Sequence, residues 1–270
     1  MCLIKVNTHN FELDAIPCVD LKNPNSADLF RYNRSWILAR FEDGMVITKL
    51  DTPEEAFIEY LPAEKAWKPV SAPGYIFINQ LYVAEDHPDD WFKSELLLHC
   101  EVENSKKNGI VLMLPNESFK NSQHFYLSRG YLEHAHLPGF TLLIKKFKPE
   151  APSPSFALSM EDKPNPIQAH LVTIKYADQS SFINYYIYEM KKVFEEMGFE
   201  VQLKKLLSAS EARESGSPYG TFGVFLDGHF LTFQLLNRSE IEELIGTLDL
   251  NEMYPEVKHL YGRPVDFDLY

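Results

Sequence analysis

Cysteine is scarce and unpatterned. Cys2, Cys18 and Cys100 are the three among 270 residues, no two are spaced as CxxC, and none follows Cys100. That spacing excludes a cysteine-built zinc cluster, and the cysteine-free remainder excludes thiol–disulfide exchange by the C-terminal part of the chain. An odd, scattered set points to a reducing compartment and to buried, inert thiols. Cations are also short: 26 Lys and Arg stand against 39 Asp and Glu, a formal charge of −13. The field of such a chain repels nucleic acid and anionic membrane surfaces, so neither is expected as a partner. A polyanionic ligand would need a local basic site. No apolar run approaches the ~20 residues that span a bilayer, and the first ten residues lack the apolar core of a signal peptide. A cytoplasmic location is the expectation. Glycine is missing from the whole stretch between Gly74 and Gly109.

What is present suffices for a sizeable core: 45% of the residues are hydrophobic. The length suggests two domains. Prolines at 149, 152 and 154, then at 164 and 166, remove backbone donors and favour extended chain, which marks a semi-rigid connector outside any core. The expected division is a first domain over residues 1–150, a linker over 151–167 and a second domain over 168–270.

In the first domain, helical spacing of Leu29, Tyr32, Trp36, Ile37 and Arg40 predicts a helix over 26–41, closed by a turn at Asp43 and Gly44. Strands at 45–50 and 56–61 follow as a pair. An apolar strand over 75–83 runs into Glu85, Asp86, His87, Asp89 and Asp90, and a helix begins at Trp91 and carries Leu96, Leu97 and Leu98. A strand over 110–114, a short helix holding Phe125 and Tyr126, and a strand over 140–147 complete the set. In the second domain a strand over 170–176, a helix over 182–197 capped by Ser180 or Ser181, and a strand over 199–206 make a βαβ unit with parallel strands. Strands at 221–226 and 229–233 flank the turn dipeptide Asp227-Gly228 as a hairpin. The Ser239-x-x-Glu242 pattern predicts a capping box for a last helix.

This order, with the segments Phe57-Ile-Glu-Tyr-Leu-Pro-Ala-Glu-Lys-Ala-Trp67, Ala72-Pro-Gly-Tyr75 and Phe147-Lys-Pro-Glu-Ala-Pro-Ser-Pro154, resembles the YoaP-type branch of the GNAT acetyltransferase superfamily. The resemblance implies an α/β fold: a GNAT-like splayed mixed sheet with flanking helices, then a thioredoxin-like α/β domain. It implies acetyl-CoA as donor, an amine on a small molecule or peptide as acceptor, and no metal. It also implies that the backbone of Leu81, Tyr82 and Val83 holds the pantetheine arm, and that Tyr126, four residues before Gly130, donates a proton to the departing sulfur. A phenol of pKa ~10 suits that donation at neutral pH. An aromatic helix face packed on the sheet is the other reading of Tyr126.

The phosphate loop departs from the family pattern. The family's Q/R-x-x-G-x-G/A segment brings bare backbone N–H groups to a pyrophosphate at a helix start. Its glycines would fall near Asp89, Trp91 and Lys93, and the acids from Glu85 to Asp90 occupy the region. Acids at a helix N-terminus are favourable without any ligand. Coenzyme A binding through Lys93, Ser94 and the strand backbone is the alternative. For a general base the candidates are Glu59 and Glu64, each also readable as an ordinary surface glutamate. His134 and His136 share a face of an extended segment and read as ordinary polar residues. The site tyrosine favours an N-acetyltransferase, whereas the acidic loop and the missing cysteines favour a non-catalytic binding or scaffold module with a cationic partner.

Overall fold

The computed structural model describes residues 2–10, 34–52, 56–83, 90–137, 139–157, 170–179 and 183–248. Chain order runs β1 (Leu3–Val6), α1 (Arg34–Glu42), β2 (Val46–Leu50), β3 (Ala56–Pro62), β4 (Val70–Ser71), β5 (Ile76–Val83), α2 (Trp91–Glu103), β6 (Gly109–Pro115), α3 (Asn116–Leu127), β7 (Leu132–Leu137), β8 (Phe140–Lys146) and β9 (Ser155–Phe156). The remainder is β10 (Leu171–Tyr176), α4 (Ile183–Glu196), β11 (Glu200–Lys205), α5 (Ala209–Arg213), β12 (Phe222–Leu226), β13 (His229–Thr232) and α6 (Arg238–Thr247).

Seven strands form a mixed sheet in the order β1-β2-β3-β5-β6-β8-β7, in which only β5 and β6 run parallel. Alternation along β3 sends Phe57 and Leu61 to one face, with Ile47, Phe77, Val111 and α1's Ile37. Ile58 and Tyr60 go to the other face, where Leu96, Leu97 and Cys100 of α2 and Phe119, Phe125 and Tyr126 of α3 cover them. Both faces are buried, which is why these strands read as nearly continuous apolar runs. The predicted central strands and the β2–β3 pair are where the sequence put them. Of the helix expected over 26–41, residues 34–42 are helical and the rest lies outside the described residues.

The second, four-stranded sheet has the order β11-β10-β12-β13, with β10 and β11 parallel and the other pairs antiparallel. Helix α4 buries Ile183, Ile187, Met190 and Phe194, the i, i+4, i+7, i+11 stripe of an amphipathic helix, against Val172, Ile174 and Val224. The turn at Asp227 and Gly228 has positive φ at both residues, as a tight hairpin of this twist requires. Asp227 also accepts hydrogen bonds from the backbone N–H groups of His170 and Leu171, 3.0 and 2.7 Å away.

Three expectations need correction. The capping box of α6 is built by Asn237 and Glu240, whose side chains answer each other's backbone N–H, so the helix starts before Ser239. The proline stretch is not a free connector over residues 148–157. Ala151 is buried in the first core, Tyr75 Oη donates to the Pro152 carbonyl at 2.9 Å, and β9 pairs with β4. Finally, Cys2 is exposed, while Cys100 is buried. Cys18, Ser180, Ser181 and residues 84–89 lie outside the described residues.

The two units are packed together. Trp67 of the first is buried with Ala177, Leu206 and Ala212 of the second. Arg213 Nη1 donates to the Glu64 carbonyl at 2.7 Å. Gly220, at φ +85°, lies so close to the Trp67 carbonyl that an added Cβ would overlap it, whereas Gly198, at φ +89°, has open space around it. Both positions penalise an L side chain by about 1–2 kcal/mol through backbone conformation alone. Gly220→Ala is therefore expected to destabilise the chain clearly more than Gly198→Ala in denaturant unfolding, the excess reporting the junction. Equal losses would mean that the close approach at Trp67 carries no energy.

Candidate functional site

The site begins where the sheet opens. β5 pairs with β6 only at Ile76, Phe77 and Ile78, and then stays with β3 as far as Val83 while β6 continues beside β8. The register of β5 against β3 shifts between Glu59 and Tyr60, which makes Asn79 an extra residue, a bulge that bends β5 away from β6. Bulges of this kind re-aim side chains, and here Asn79 turns toward β3. Its amide donates to Glu59 Oε1 at 2.5 Å.

A cavity of about 330 Å³ lies beside this split, on the α1 face of the sheet. Its floor is Glu59, Phe77, Asn79, Gln80 and Met113; α1 and the segment after β3 add Trp36, Arg40, Trp67 and Lys68; the second unit closes it with Gln179, Tyr219 and Thr221. Three charged side chains share this space. Glu59 is 4% exposed, and its Oε2 has no hydrogen-bond partner. Lys68 donates to the Tyr219 carbonyl at 3.2 Å, with its ammonium 3.5 Å from the centre of that tyrosine's ring. Arg40 pairs with Asp43 at 2.9 Å through Nη2, while its Nε and Nη1 are buried and unpartnered. Its guanidinium lies 4.5 and 4.8 Å from the Trp36 and Trp67 ring centres, a cation–π placement.

Burial sets the protonation tendencies. It raises the Glu59 carboxyl above its ordinary range, against the opposing effects of the Asn79 hydrogen bond and Lys68. Burial lowers Lys68, against Tyr219 and Glu59. Each group thus leans toward its neutral form, the behaviour of a desolvated acid and base that only partly compensate each other.

The sequence candidates fall in different places. Glu59 is not a surface glutamate but a buried one, whereas the Glu64 carboxylate accepts from the Gly74 N–H at 2.5 Å and holds a turn. Leu81, Tyr82 and Val83 form the end of β5 beyond the split. Tyr126 lies on the opposite sheet face from Glu59, 6% exposed, its ring edge-on to Phe125 and Tyr131. Burial, and then Asp90, push its hydroxyl up to about 12. Lys93 and Ser94 stand in the first turn of α2. Lys93 is 3.8 Å from Asp90, and the Ser94 hydroxyl donates to the Asp90 carbonyl at 2.6 Å. His134 and His136 do not converge: the first contacts the Pro154 carbonyl, the second Thr141. Among the described residues no cluster could hold a metal ion, and no helix is long and apolar enough to cross a membrane.

Sequence reading missed Arg129, which reaches from the end of α3 to donate to Ser94 Oγ at 2.5 Å and brings a second cation to the α2 start. It also missed Asn79, Lys68, Arg40 and Trp67. One signal was available: Glu59 sits between Phe57 and Leu61 on an apolar strand face, where a carboxylate is out of pattern.

A family model described as YoaP-like matches residues 201–242. Over 253 residues, 92% of this chain and 100% of the other, the sequence is 29% identical to a Bacillus subtilis (strain 168) protein named "Uncharacterized N-acetyltransferase YoaP". Similar solved structures include the ribosomal-protein-S18-alanine N-acetyltransferase of Escherichia coli, with a TM-score of 0.39, 12% identity, and coverage of 54% of this chain and 94% of that one. Another is the IAA acetyltransferase of Bacillus cereus ATCC 14579, with 0.38, 10%, 54% and 98% respectively. The full-length sequence similarity supports an acetyltransferase-like function, and the splayed mixed sheet with flanking helices is consistent with the GNAT fold.

The buried carboxyl has a measurable signature. Above the ordinary glutamate value of 4.5 and up to the raised folded value, the native state holds a proton that the unfolded state has lost. The stability that protonated Glu59 contributes is therefore present at low pH and lost as pH rises through that window. Glu59→Gln should flatten this fall in unfolding free energy measured against pH. An unchanged slope would show that the carboxyl is not desolvated.

Proposed function

We propose that the protein is a GNAT-type N-acetyltransferase that moves an acetyl group from acetyl-CoA to a small amine held in the Glu59 cavity. The observation that carries this reading is Glu59 itself: a buried carboxylate with one free oxygen, in a cavity that meets the split between β5 and β6. A carboxylate whose proton affinity is raised by burial is suited to taking a proton from an ammonium group before attack.

The chain fits the donor in part. The β5 edge beyond Ile78 offers extended backbone to a pantetheine arm, and Lys93 and Arg129 bring positive charge to the α2 N-terminus. Acetyl-CoA supplies the activated thioester. Glu59 Oε2 would accept the amine proton, Asn79 would fix the carboxylate through Oε1, and the buried walls would exclude competing water. From the other face, Tyr126, a hydroxyl that stays protonated at neutral pH, would donate to the departing sulfur.

The second unit reads best as a thioredoxin-like layer, supported by its β10-α4-β11-α5-β12-β13-α6 order around the central strand β10. Without cysteine it is a wall of the cavity in this reading, not a redox centre. The competing reading, a binding module without transfer, is favoured by the acids from Glu85 to Asp90.

Calorimetric titration with acetyl-CoA and thiol release in the presence of primary amines test the proposal. Glu59→Gln is expected to lower kcat by about 100-fold or more, the usual scale of general-base catalysis, and Tyr126→Phe to lower kcat with little change in KM. No binding heat and no thiol release would remove acetyl transfer and leave the binding module.

A further inference from the structure

The cavity carries more charge than a simple amine would use. A monoamine would answer Glu59 and leave the cations Lys68 and Arg40, which line the same cavity, with no negative charge from the ligand. A simple anion would do the reverse. Glu59 and Lys68 bias each other's charge, and Glu59 Oε2 has no hydrogen-bond partner. An acid and two basic side chains lining one small cavity match a ligand that carries both charges, whose presence would hold them in their charged forms.

We infer that this cavity is a site for a free α-amino acid with a neutral, apolar side chain, its ammonium on Glu59 and its carboxylate among Lys68, Arg40 and the Trp67 indole N–H. The volume of about 330 Å³ lies at the small end of the ~300–1,000 Å³ range of small-molecule sites. The remaining walls are apolar or uncharged, with Leu61, Phe77, Met113 and Phe140 prominent, so no partner is left for a charged side chain. Thr221, 2% exposed with an unpartnered Oγ1, adds a hydroxyl from the second unit. The site is therefore complete only when both units are in place. This deepens the acetyl-transfer reading and rests on it for the fate of the amino group, but the recognition itself is independent of transfer.

The test uses the full-length chain, first without acetyl-CoA. L-Leucine, L-methionine and L-phenylalanine are titrated by calorimetry and by thermal shift, beside 2-phenylethylamine, which lacks the carboxylate, and N-acetyl-L-phenylalanine, which lacks the ammonium. At least one free amino acid should bind, and both phenylalanine analogues should bind about tenfold or more weakly than phenylalanine, the scale of one lost charged hydrogen bond. Lys68→Met should erase the preference for phenylalanine over 2-phenylethylamine, and Thr221→Val should weaken amino-acid binding in a milder variant. Should Lys68→Met fail to fold, the wild-type comparison of the three phenylalanine-related ligands still decides the matter. No binding of any of the amino acids at millimolar concentration overturns the inference, as does 2-phenylethylamine binding as well as phenylalanine. Thiol release then separates the two claims. Amino-acid binding without transfer upholds the site and removes the enzyme, whereas transfer to 2-phenylethylamine as efficient as to phenylalanine upholds the enzyme and removes the site.

Discussion

The shortness of the parallel contact between β5 and β6 governs the rest of the first unit. β5 is held along its whole length by β3, and β6 along its whole length by β8, yet the two meet only over Ile76 to Ile78. Asn79 is the residue that separates them, since one extra residue on β5 increases the local twist and sends the strand after β3. Parallel pairing is the weaker of the two ladder types, so the sheet opens at its one parallel junction and keeps its antiparallel ones. The opening leaves a half-buried stretch of strand edge, and a strand edge is a row of backbone donors and acceptors that must find partners. The same bulge aims Asn79 at Glu59. A single insertion thus makes the opening and fixes the carboxylate beside it.

Stability alone does not explain the side chains around that opening. Taking a carboxylate or an ammonium out of water carries a penalty of several kcal/mol per ion after relaxation, and apolar residues of like volume would pack as well or better. Glu59 and Lys68 nonetheless line one cavity, with Arg40 clamped by Asp43 and by the faces of Trp36 and Trp67. The second unit takes part in this arrangement. Tyr219 receives Lys68, Thr221 lines the cavity, and Gly220 allows the chain to press against Trp67. A ligand that bridges these groups would stabilise the junction between the units as well as its own site, because binding to the native state alone shifts the folding equilibrium.

Local order was legible and non-local chemistry was not. The strand and helix pattern of both units follows from runs such as Ile76 to Val83 and from the stripe of Ile183, Ile187, Met190 and Phe194, because period and burial speak within a dozen residues. The start of α6 was misread by two residues, since Asn237 and Ser239 are both good caps and only the Glu240 side chain, bonded back to Asn237, decides between them. The proline stretch misled for a related reason: proline forbids ladder donors but does not forbid docking, and Ala151, Pro152 and Pro154 dock through their side chain or carbonyls. The cavity was invisible because its members lie at positions 40, 59, 68, 79 and 221, brought together only by topology. Glu59 alone announced itself, by standing on an apolar strand face.

The start of α2 shows how far opposing charges there come to balance. Asp90 stands before the helix, and Glu85, Asp86 and Asp89 precede it in sequence. Against an incoming phosphate, each close like-charge contact at a screened surface opposes binding by about 1 kcal/mol. Arg129 is set on the other side, oriented by Ser94, by the Phe125 carbonyl at 2.8 Å and by the Phe125 ring 3.8 Å from its guanidinium. A charge-assisted hydrogen bond from such a preorganised guanidinium contributes roughly 1.5–3 kcal/mol, more than one close carboxylate opposes. Lys93 is already drawn toward Asp90 and adds little. Among the described residues at this helix start, the cations Lys93 and Arg129 stand beside a single acid, Asp90. In a chain of −13 net charge, two cations gathered at one helix start are a local departure from the overall balance.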